Sequence, residues 1–222
     1  SIIAPDKPDV GFLTSFIAMI KDWLNAELER RLILVAGGGA PARIYQSAYK
    51  EAAAGLDENT DGDAADKIGI MATRLNAELV KTLCGSLCKN DVVYNPTENI
   101  EFSGRILVAA GWKPGFSTDN DAVLLAEKFS ADTVLNLSNI EKVYTDDPKK
   151  NPNAQPIDRI SWENFIQMVG TEWVPGKNVP FDPVASVRAQ KAGIQVICAG
   201  GTDLDNLDNI LHDRPFKGTT IG

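Results

Sequence analysis

A short apolar run that stops at three consecutive glycines constrains the fold of this chain more than any other feature. Residues 32–36 are all apolar, and they end at Gly37-Gly38-Gly39, just before a helical pattern that begins near Pro41. A run that is apolar at every position favours a strand buried on both faces, because a half-exposed strand would alternate. The order of strand, turn and helix recurs along the chain. It predicts an α/β protein whose mostly parallel sheet has helices on both faces.

The other elements are predicted from the spacing of apolar residues and from turn signals. Helices are expected over residues 9–30, from about 41, and over 64–83, 121–129, 161–168, 183–191 and 204–211. Strands are expected over residues 91–94, 105–109, 133–137, 194–199 and 218–221. The polar segments 57–62 and 146–156 are expected to be loops, the second of them over a site.

The composition excludes several classes of protein. No apolar run approaches the roughly 20 residues that span a bilayer, and the N-terminal residues do not resemble a secretory signal, so we expect a soluble, cytoplasmic protein. The formal net charge of −8 argues against a nucleic-acid partner, because such binding needs a basic face. Any phosphate must therefore be bound by local groups.

Histidine and cysteine are too few, or wrongly spaced, for several kinds of catalytic or metal site. The single histidine, His212, argues against a Ser-His-Asp triad and against a histidine-based metal site. Cys84 and Cys88 lie four apart, a spacing that suits neither a redox pair nor a zinc knuckle, and we expect reduced, buried thiols. A metal would be held by carboxylates and substrate phosphates, which indicates Mg²⁺.

Two glycine-rich turns are candidates for phosphate binding. At Gly37-Gly38-Gly39, missing side chains let backbone N–H groups approach an anion at a helix start, and Arg43 can add a charge-assisted bond. A tight turn without a ligand explains the glycines equally well. The loop 111–121 carries Ser117 and Thr118, which could simply cap a helix. Its lysine, aromatic and hydroxyl groups together favour a phosphorylated nucleoside.

A third polar segment follows the predicted strand 133–137. Asn136, Ser138 and Asn139 precede Tyr144 and Asp147, a combination that could bind the sugar and base of a nucleotide. A turn closed by Asx hydrogen bonds is the alternative. The three segments follow strands of one predicted parallel sheet, so we expect them at the same edge.

Several motifs, taken in order from Ser1 to Gly222, resemble the amino acid kinase superfamily, and within it the archaeal-type uridylate kinases. The motifs are GGGxxAR, ADKIGIxATRxNA, GWKPGxSTDxDA, SNxxxVYTxDP, FDPVA and GTTI. The resemblance implies a three-layer αβα sandwich, and transfer of the ATP γ-phosphoryl group to UMP with Mg²⁺ in pyrimidine nucleotide biosynthesis. It also implies a homohexamer and one domain over residues 1–222, with an acceptor part over about 1–130 and an ATP part over about 131–222.

The resemblance also implies site residues. UMP would be bound by Gly38, Asp66, Trp112, Lys113, Pro114, Gly115, Phe116, Ser117 and Thr118. ATP would be bound by Gly39, Arg43, Ser138, Asn139, Tyr144 and Asp147, and the catalytic group would comprise Asp182, Gly39 and Arg43. No protein residue is expected to bind the metal directly. Asp182 could instead be only the N-cap of the helix that follows it.

The chain departs from the family pattern at two places. The family begins with a strand and a first phosphate loop that we expect to precede Ser1 and to be missing from this chain. The family usually has glycine at the position of Lys142, so the turn on the nucleotide side is expected to differ.

Other functions on the same fold remain open from sequence. One alternative is a kinase for acetylglutamate, carbamate or glutamate, which would need basic contacts to a carboxylate. An isopentenyl phosphate kinase would need a histidine near the acceptor, where His212 is badly placed. A non-catalytic nucleotide- or oxyanion-binding or storage protein is the third.

Overall fold

The computed structural model describes residues 2–56, 59–148, 150–172 and 179–222 and divides the chain into two compact units. Unit 1 comprises Ser1–Asp121 and unit 2 comprises Ala122–Gly222. Residues 57 and 58 of the first predicted loop and residue 149 of the second lie outside the described residues.

Unit 1 contains a parallel two-stranded sheet and long helices. Its elements are α1 (Val10–Ala26), β1 (Leu32–Val35), α2 (Gly39–Gly55), α3 (Gly62–Cys84), a 3₁₀ turn (Gly85–Leu87) and β2 (Ile106–Ala109). Strand β1 pairs with β2 in parallel, and Leu32 lies opposite Ile106. Helix α4 (Thr118–Phe129) begins in this unit, and the division falls within it.

Unit 2 contains a four-stranded sheet in the order β3-β7-β8-β6. Its elements are β3 (Thr133–Ser138), β4 (Val143–Tyr144), β5 (Pro156–Ile157), β6 (Arg159–Ile160), α5 (Trp162–Val169), α6 (Pro183–Ala192), β7 (Gln195–Gly200), α7 (Leu204–Leu211) and β8 (Thr219–Ile221). The pairs β3–β7 and β6–β8 are parallel, whereas β7–β8 is antiparallel. Strands β4 and β5 form a separate antiparallel pair.

The predicted α/β class with mostly parallel strand pairing is confirmed, and most predicted elements are present. Three predictions of detail were wrong. Segment 91–94 makes only an isolated bridge between Val93 and Ala109. The first helix ends at Ala26 rather than near Arg30. Beyond its end, the Arg105 guanidinium donates to the carbonyl oxygens of Glu27 and Arg30 and holds the chain in a turn. The short strand β5 begins at the last residue of the predicted loop, and β6 lies where no element was predicted.

Each unit buries apolar side chains of its own among the described residues. In unit 1, helix α1 buries Leu13, Phe16, Ile17, Ile20 and Leu24 at helical spacing. In unit 2, Phe165 of α5 is fully buried and packs with residues of α6, β7 and β8. No helix within the described ranges combines the length and the hydrophobicity needed to cross a membrane.

Truncation of Phe165 tests the core of unit 2. Because Phe165 is 0% exposed, Phe165→Ala is expected to lower the free energy of unfolding by about 3–5 kcal/mol through lost burial and a residual cavity. Val184→Ala, on the exposed side of α6, is the control and should change it by less than about 1 kcal/mol. Urea unfolding measures both, and equal losses would contradict the assigned core.

Candidate active site

The turn between β1 and α2 needs glycine because of its conformation and because of a close backbone contact. Gly39 has φ +63°, and a Cβ atom on it would lie 2.5 Å from the carbonyl oxygen of Ala4. The same oxygen accepts a hydrogen bond from the Ala40 N–H at 3.0 Å. The Ala42 N–H donates to the Gly38 carbonyl oxygen at 3.3 Å, and Pro41 has no N–H. The Gly39 N–H is therefore the amide of this first turn that an anion could approach.

A buried asparagine of α3, Asn76, binds the backbone of this turn. The Asn76 side chain is 4% exposed, and its Nδ2 donates to the carbonyl oxygens of Gly37 at 2.8 Å and Gly38 at 3.2 Å. Sequence reasoning gave Asn76 no role. The available signal was the asparagine of the ATRxNA motif, on the buried face of a helix where asparagine needs a polar partner.

Arg43 lies in the first turn of α2 and is exposed. Its position one turn beyond the glycines is the one that the sequence predicted. An exposed guanidinium keeps its long side chain available for an anion, which is what a phosphate-binding role requires.

Three side chains of α3 hold the second loop, which runs from Gly111 to Ser117. The Gly111 N–H donates to Thr73 Oγ1 at 2.8 Å, and Arg74 Nη2 donates to the Trp112 carbonyl oxygen at 3.1 Å. The Gly115 N–H donates to Asp66 Oδ2 at 3.1 Å. The structure thus brings Asp66 to the loop predicted to bind UMP, a juxtaposition that residue spacing could not reveal.

The tip of this loop is shaped by two aromatic rings and a lysine. The Trp112 and Phe116 rings meet edge to face with centroids 4.8 Å apart. Lys113 Nζ lies 3.9 Å from the Trp112 ring centroid and 4.8 Å from that of Phe116. Gly115 has φ +76° with open space around it, so its conformation, not crowding, calls for glycine. Lys113 is thereby held as a cation beside the loop backbone.

Ser117 caps the helix that follows the loop. Its Oγ accepts a hydrogen bond from the Asn120 N–H at 3.2 Å, and Thr118 is the first residue of α4. The capping interpretation of this segment is therefore correct for Ser117. A helix start is also a favourable place for an anion, so the cap does not conflict with phosphate binding by Thr118.

Asp121 is a second residue that sequence reasoning missed. It is 1% exposed, its Oδ2 accepts from the Trp112 N–H at 3.1 Å, and its Oδ1 is buried without a partner among the described residues. Burial raises the pKa of Asp121 to about 7; the Trp112 N–H opposes the shift and the nearby Asp119 adds to it. The carboxyl that anchors the loop thus titrates near neutral pH.

In unit 2, the ends of β3 and β7 border an open cavity of about 160 Å³. It is lined by Ser138, Asn139, Glu141, Gly200, Thr202, Asp203, Asn206 and Lys217. Ser138 Oγ accepts from the Ile140 N–H at 3.2 Å and so closes the turn after β3. Both of the predicted ATP residues at this strand end therefore line the cavity, which is smaller than a typical ligand pocket and can hold only part of a nucleotide.

Asn206 fixes one wall of this cavity. Its Nδ2 donates to the Lys217 carbonyl oxygen and its Oδ1 accepts from the Lys217 N–H, both at 2.7 Å. Lys217 Nζ lies 2.5 Å from Glu141 Oε2. The hydrogen bond with Glu141 raises the pKa of Lys217, and the charges of Glu141, Tyr144 and Asp203 add to the effect.

The other predicted ATP residues lie outside the cavity lining. Tyr144 pairs with Pro156 in the β4–β5 ribbon, yet its phenol is near enough to Lys217 to affect that lysine's pKa. Asp147 is exposed in the following turn, 3.8 Å from Lys150 Nζ. Lys142 contacts Asp158 and is not one of the residues with positive φ, so the turn is built without the family's glycine.

Asp182 is the N-cap of α6. Its Oδ1 accepts from the Ala185 N–H at 2.7 Å, and the residue is 7% exposed. The capping interpretation is correct, and a catalytic role for the same carboxylate stays a prediction. Nearby, Asn136 Nδ2 donates to the Pro180 carbonyl oxygen at 2.7 Å and holds the segment before Asp182 against the end of β3.

The fold and these motifs define a class of protein, and comparison with known proteins agrees. Residues 1–200 match the family model "Amino acid kinase family", and this chain belongs to that family. The crystal structure of a UMP kinase from Ureaplasma parvum, 19% identical, has a TM-score of 0.69 over 97% of this chain and 90% of that one. That likeness supports the fold alone.

Nearer relatives carry a more specific name. A uridylate kinase from Thermoplasma volcanium is 34% identical over all of this chain and 93% of its own length. One from Methanospirillum hungatei is 33% identical over all of this chain and 91% of its own length. The crystal structure of uridylate kinase from Archaeoglobus fulgidus is 30% identical, with a TM-score of 0.81, over 96% of this chain and 94% of that one. The predicted resemblance is confirmed.

Asp121 predicts a dependence of stability on pH. A carboxyl whose pKa is raised from 3.8 to about 7 favours the folded state below pH 4, and this contribution is lost as pH rises to 7. From pH 5 to 8 it should lower the free energy of unfolding by about 2–3 kcal/mol.

The variant Asp121→Asn is expected to remove this term, so its stability relative to wild type should rise with pH. Urea unfolding at pH 5, 6, 7 and 8 gives the comparison. The matched control is Asp205→Asn, an exposed aspartate in the first turn of α7, which should follow wild type. Parallel curves for wild type and Asp121→Asn would show that Asp121 has an ordinary pKa.

Proposed function

We propose that this chain is a uridylate kinase that transfers the γ-phosphoryl group of ATP to UMP, giving UDP for pyrimidine nucleotide biosynthesis in the cytoplasm. The observation that most supports it is the loop 111–118 of unit 1, which carries an aromatic pair, a lysine, hydroxyls and the adjacent Asp66. That set suits a phosphorylated nucleoside. The relatives that match this chain along its whole length are named for the same reaction.

The proposed acceptor residues are those of the first turn and the second loop. UMP would lie against Gly38 and the backbone of residues 112–118, with its phosphate near the N-terminus of α4 at Thr118. Asp66 already accepts from the Gly115 N–H through Oδ2. A carboxylate can accept several hydrogen bonds, so Asp66 can also receive one from the ribose or base.

The residues proposed to bind the nucleoside part of ATP are in unit 2, and those proposed to bind its phosphates are in unit 1. ATP would use Ser138, Asn139, Tyr144 and Asp147 for its nucleoside part, and Gly39 with Arg43 for the phosphates. Residues 1–130 would thus be the acceptor part of the domain and residues 131–222 the ATP part. The wall of the unit 2 cavity supports this division, because two of the four nucleoside residues line it.

The reaction asks the protein for alignment and charge neutralisation more than for a base. The UMP phosphate is a competent nucleophile at neutral pH, so no proton has to be removed from it. Arg43 and Lys113 supply positive charge in unit 1, and Asp182 would arrange catalytic groups from its capped position. The single histidine, His212, ends α7 with Nδ1 2.9 Å from the Asp208 carbonyl oxygen and has no part in this scheme.

Mg²⁺ is the metal proposed for this reaction. Within the described ranges, no three histidine, cysteine or acidic side chains gather into a metal-binding group. Mg²⁺ in kinases is held largely by substrate phosphates and water with one or two carboxylates, so the ion would enter with ATP and not in a protein cage. When bound, it neutralises charge on the phosphates that react.

A coupled assay of ATP consumption tests the proposed function. UMP, CMP, acetylglutamate and isopentenyl phosphate would each be offered with ATP and Mg²⁺. UMP should give the highest kcat/KM. Turnover with another acceptor alone would transfer the proposal to that kinase class, and absence of turnover with all four would favour a non-catalytic nucleotide- or oxyanion-binding protein.

The acceptor loop predicts the effect of Asp66→Asn. Asparagine keeps an oxygen for the Gly115 N–H but loses the negative acceptor, so KM for UMP should rise roughly tenfold while KM for ATP changes little. Thr118→Ala should act in the same direction. The control is Asp63→Asn, exposed in the first turn of α3. An unchanged KM for UMP in both variants would show that the acceptor lies elsewhere.

The chain is also proposed to form a homo-oligomer, a hexamer by resemblance to its family. Large apolar side chains are exposed on α2 and α3, including Ile44 at 57%, Tyr45 at 66%, Met71 at 60% and Leu75 at 71%. Met71 and Leu75 lie four residues apart and so on the same face of α3, and a second copy of the chain would cover such side chains.

Mass measurement tests the assembly. Light scattering after size exclusion should give about six times the chain mass of 24.0 kDa. A mass near that of one chain at micromolar concentration would contradict the proposal, and a dimer or trimer would correct its stoichiometry.

A further inference from the structure

Glu141 and Lys217 form an ion pair on the wall of the unit 2 cavity, and neither has a role in the function proposed above. Lys217 Nζ lies 2.5 Å from Glu141 Oε2, and both residues line the cavity with Ser138 and Asn139. The pair comes from two distant parts of the chain, the turn after β3 and the segment before β8.

The charges of the lining indicate which part of a nucleotide the cavity can hold. Its ionisable residues are Glu141, Asp203 and Lys217, which sum to a formal charge of −1. A polyphosphate would meet net repulsion there. Ribose hydroxyls and base amino groups are hydrogen-bond donors, and carboxylates accept from them strongly. The lining therefore suits the nucleoside end of ATP.

Of the two acids, Glu141 is the better placed to accept from a ligand. Asp203 Oδ1 is already the N-cap of α7 and accepts from the Asn206 N–H at 3.0 Å. Glu141 packs over the end of β7, because a Cβ on Gly200 would lie 3.6 Å from Glu141 Cγ. One Glu141 oxygen meets Lys217, and a carboxylate has capacity for further hydrogen bonds.

Lys217 is held in place through its backbone. Asn206, 8% exposed, binds both the N–H and the carbonyl oxygen of Lys217. The backbone that carries the Lys217 side chain is therefore fixed. The side chains of the pair are more than half exposed, at 56% and 62%, and such pairs contribute little to stability. The fold therefore does not depend on the pair, and Glu141 can accept from a ligand while Lys217 holds its other oxygen.

We infer that Glu141 is a specificity-determining residue that accepts a hydrogen bond from a ribose hydroxyl of the donor nucleotide, with Lys217 as the positioning residue that orients its carboxylate. The inference rests on the proposed function in one respect, that this cavity receives the donor nucleotide. The identity of the acceptor has no bearing on it.

Nucleotide binding to the full chain, measured by calorimetry with Mg²⁺ and no acceptor, tests the inference directly. The ligands are ATP, 2′-deoxy-ATP and 3′-deoxy-ATP. Wild type should bind ATP roughly tenfold more tightly than at least one deoxy analogue, because the lost hydroxyl leaves a charged acceptor without its partner. Glu141→Ala should abolish this discrimination, and Glu141→Gln should reduce it to about threefold or less.

Lys217 is tested by loss and by rescue. Lys217→Met should weaken the discrimination, because Glu141 is no longer oriented, and Lys217→Arg should restore most of it. A purely structural role for Lys217 would lower affinity for all three nucleotides equally. The matched control is Lys142→Met, which breaks the Lys142–Asp158 ion pair of the same unit and should leave the ratio unchanged.

The outcomes separate this inference from the proposed function. Equal binding of ATP and both analogues by wild type, an unchanged ratio in Glu141→Ala, or no ATP binding would overturn the inference. Discrimination that depends on Glu141 without turnover of UMP would support it and contradict the proposed acceptor. Turnover of UMP with an unchanged ratio of ATP to deoxy-ATP affinity in Glu141→Ala would support the proposed function and contradict the inference about Glu141.

Discussion

The arrangement of unit 1 depends on the side chains of α3, which satisfy backbone groups of both glycine-rich turns. Asn76 binds the carbonyls of the first turn, and Thr73, Arg74 and Asp66 bind three backbone groups of the second. The glycines of these turns have no side chains of their own to bind backbone groups, and buried backbone groups left unpaired are costly. One helix therefore helps to fix the position of both turns, together with Ala4 at the first and Asp121 at the second.

The negative charge of the whole chain explains why binding must be local. At a net charge of −8, the mean field repels nucleotides, so each phosphate needs fixed donors at short range. Lys113 illustrates the solution, since contact with the Trp112 and Phe116 rings fixes its charge beside the loop backbone. Asp121 has the opposite effect on the charge of this loop. Its pKa is raised to about 7, so the carboxyl next to the loop gains negative charge as the pH rises through neutral. Position, more than net charge, decides what this surface attracts.

Local patterns in the sequence were sufficient to predict the fold class, the helices and the three polar segments. Gly39 and Ser117 could be recognised because a helix start leaves a signature within a few residues. The supports of these segments could not, since Asn76 lies 38 residues from Gly38 and only the folded chain reveals the contact. Strand β6 was missed because two residues are too few to show alternation. The Glu141–Lys217 pair joins remote segments in the same way, and neither residue belongs to a recognisable motif.

The bond between Asn206 and the main chain of Lys217 has a consequence for evolution. Because the asparagine binds backbone atoms alone, the fold asks nothing of the side chain at position 217. Relatives could exchange that side chain without losing the wall that carries it. The chemistry of the cavity would then drift by single substitutions while the scaffold stayed intact, so nucleotide preference is the property of this fold that we expect to diversify most readily.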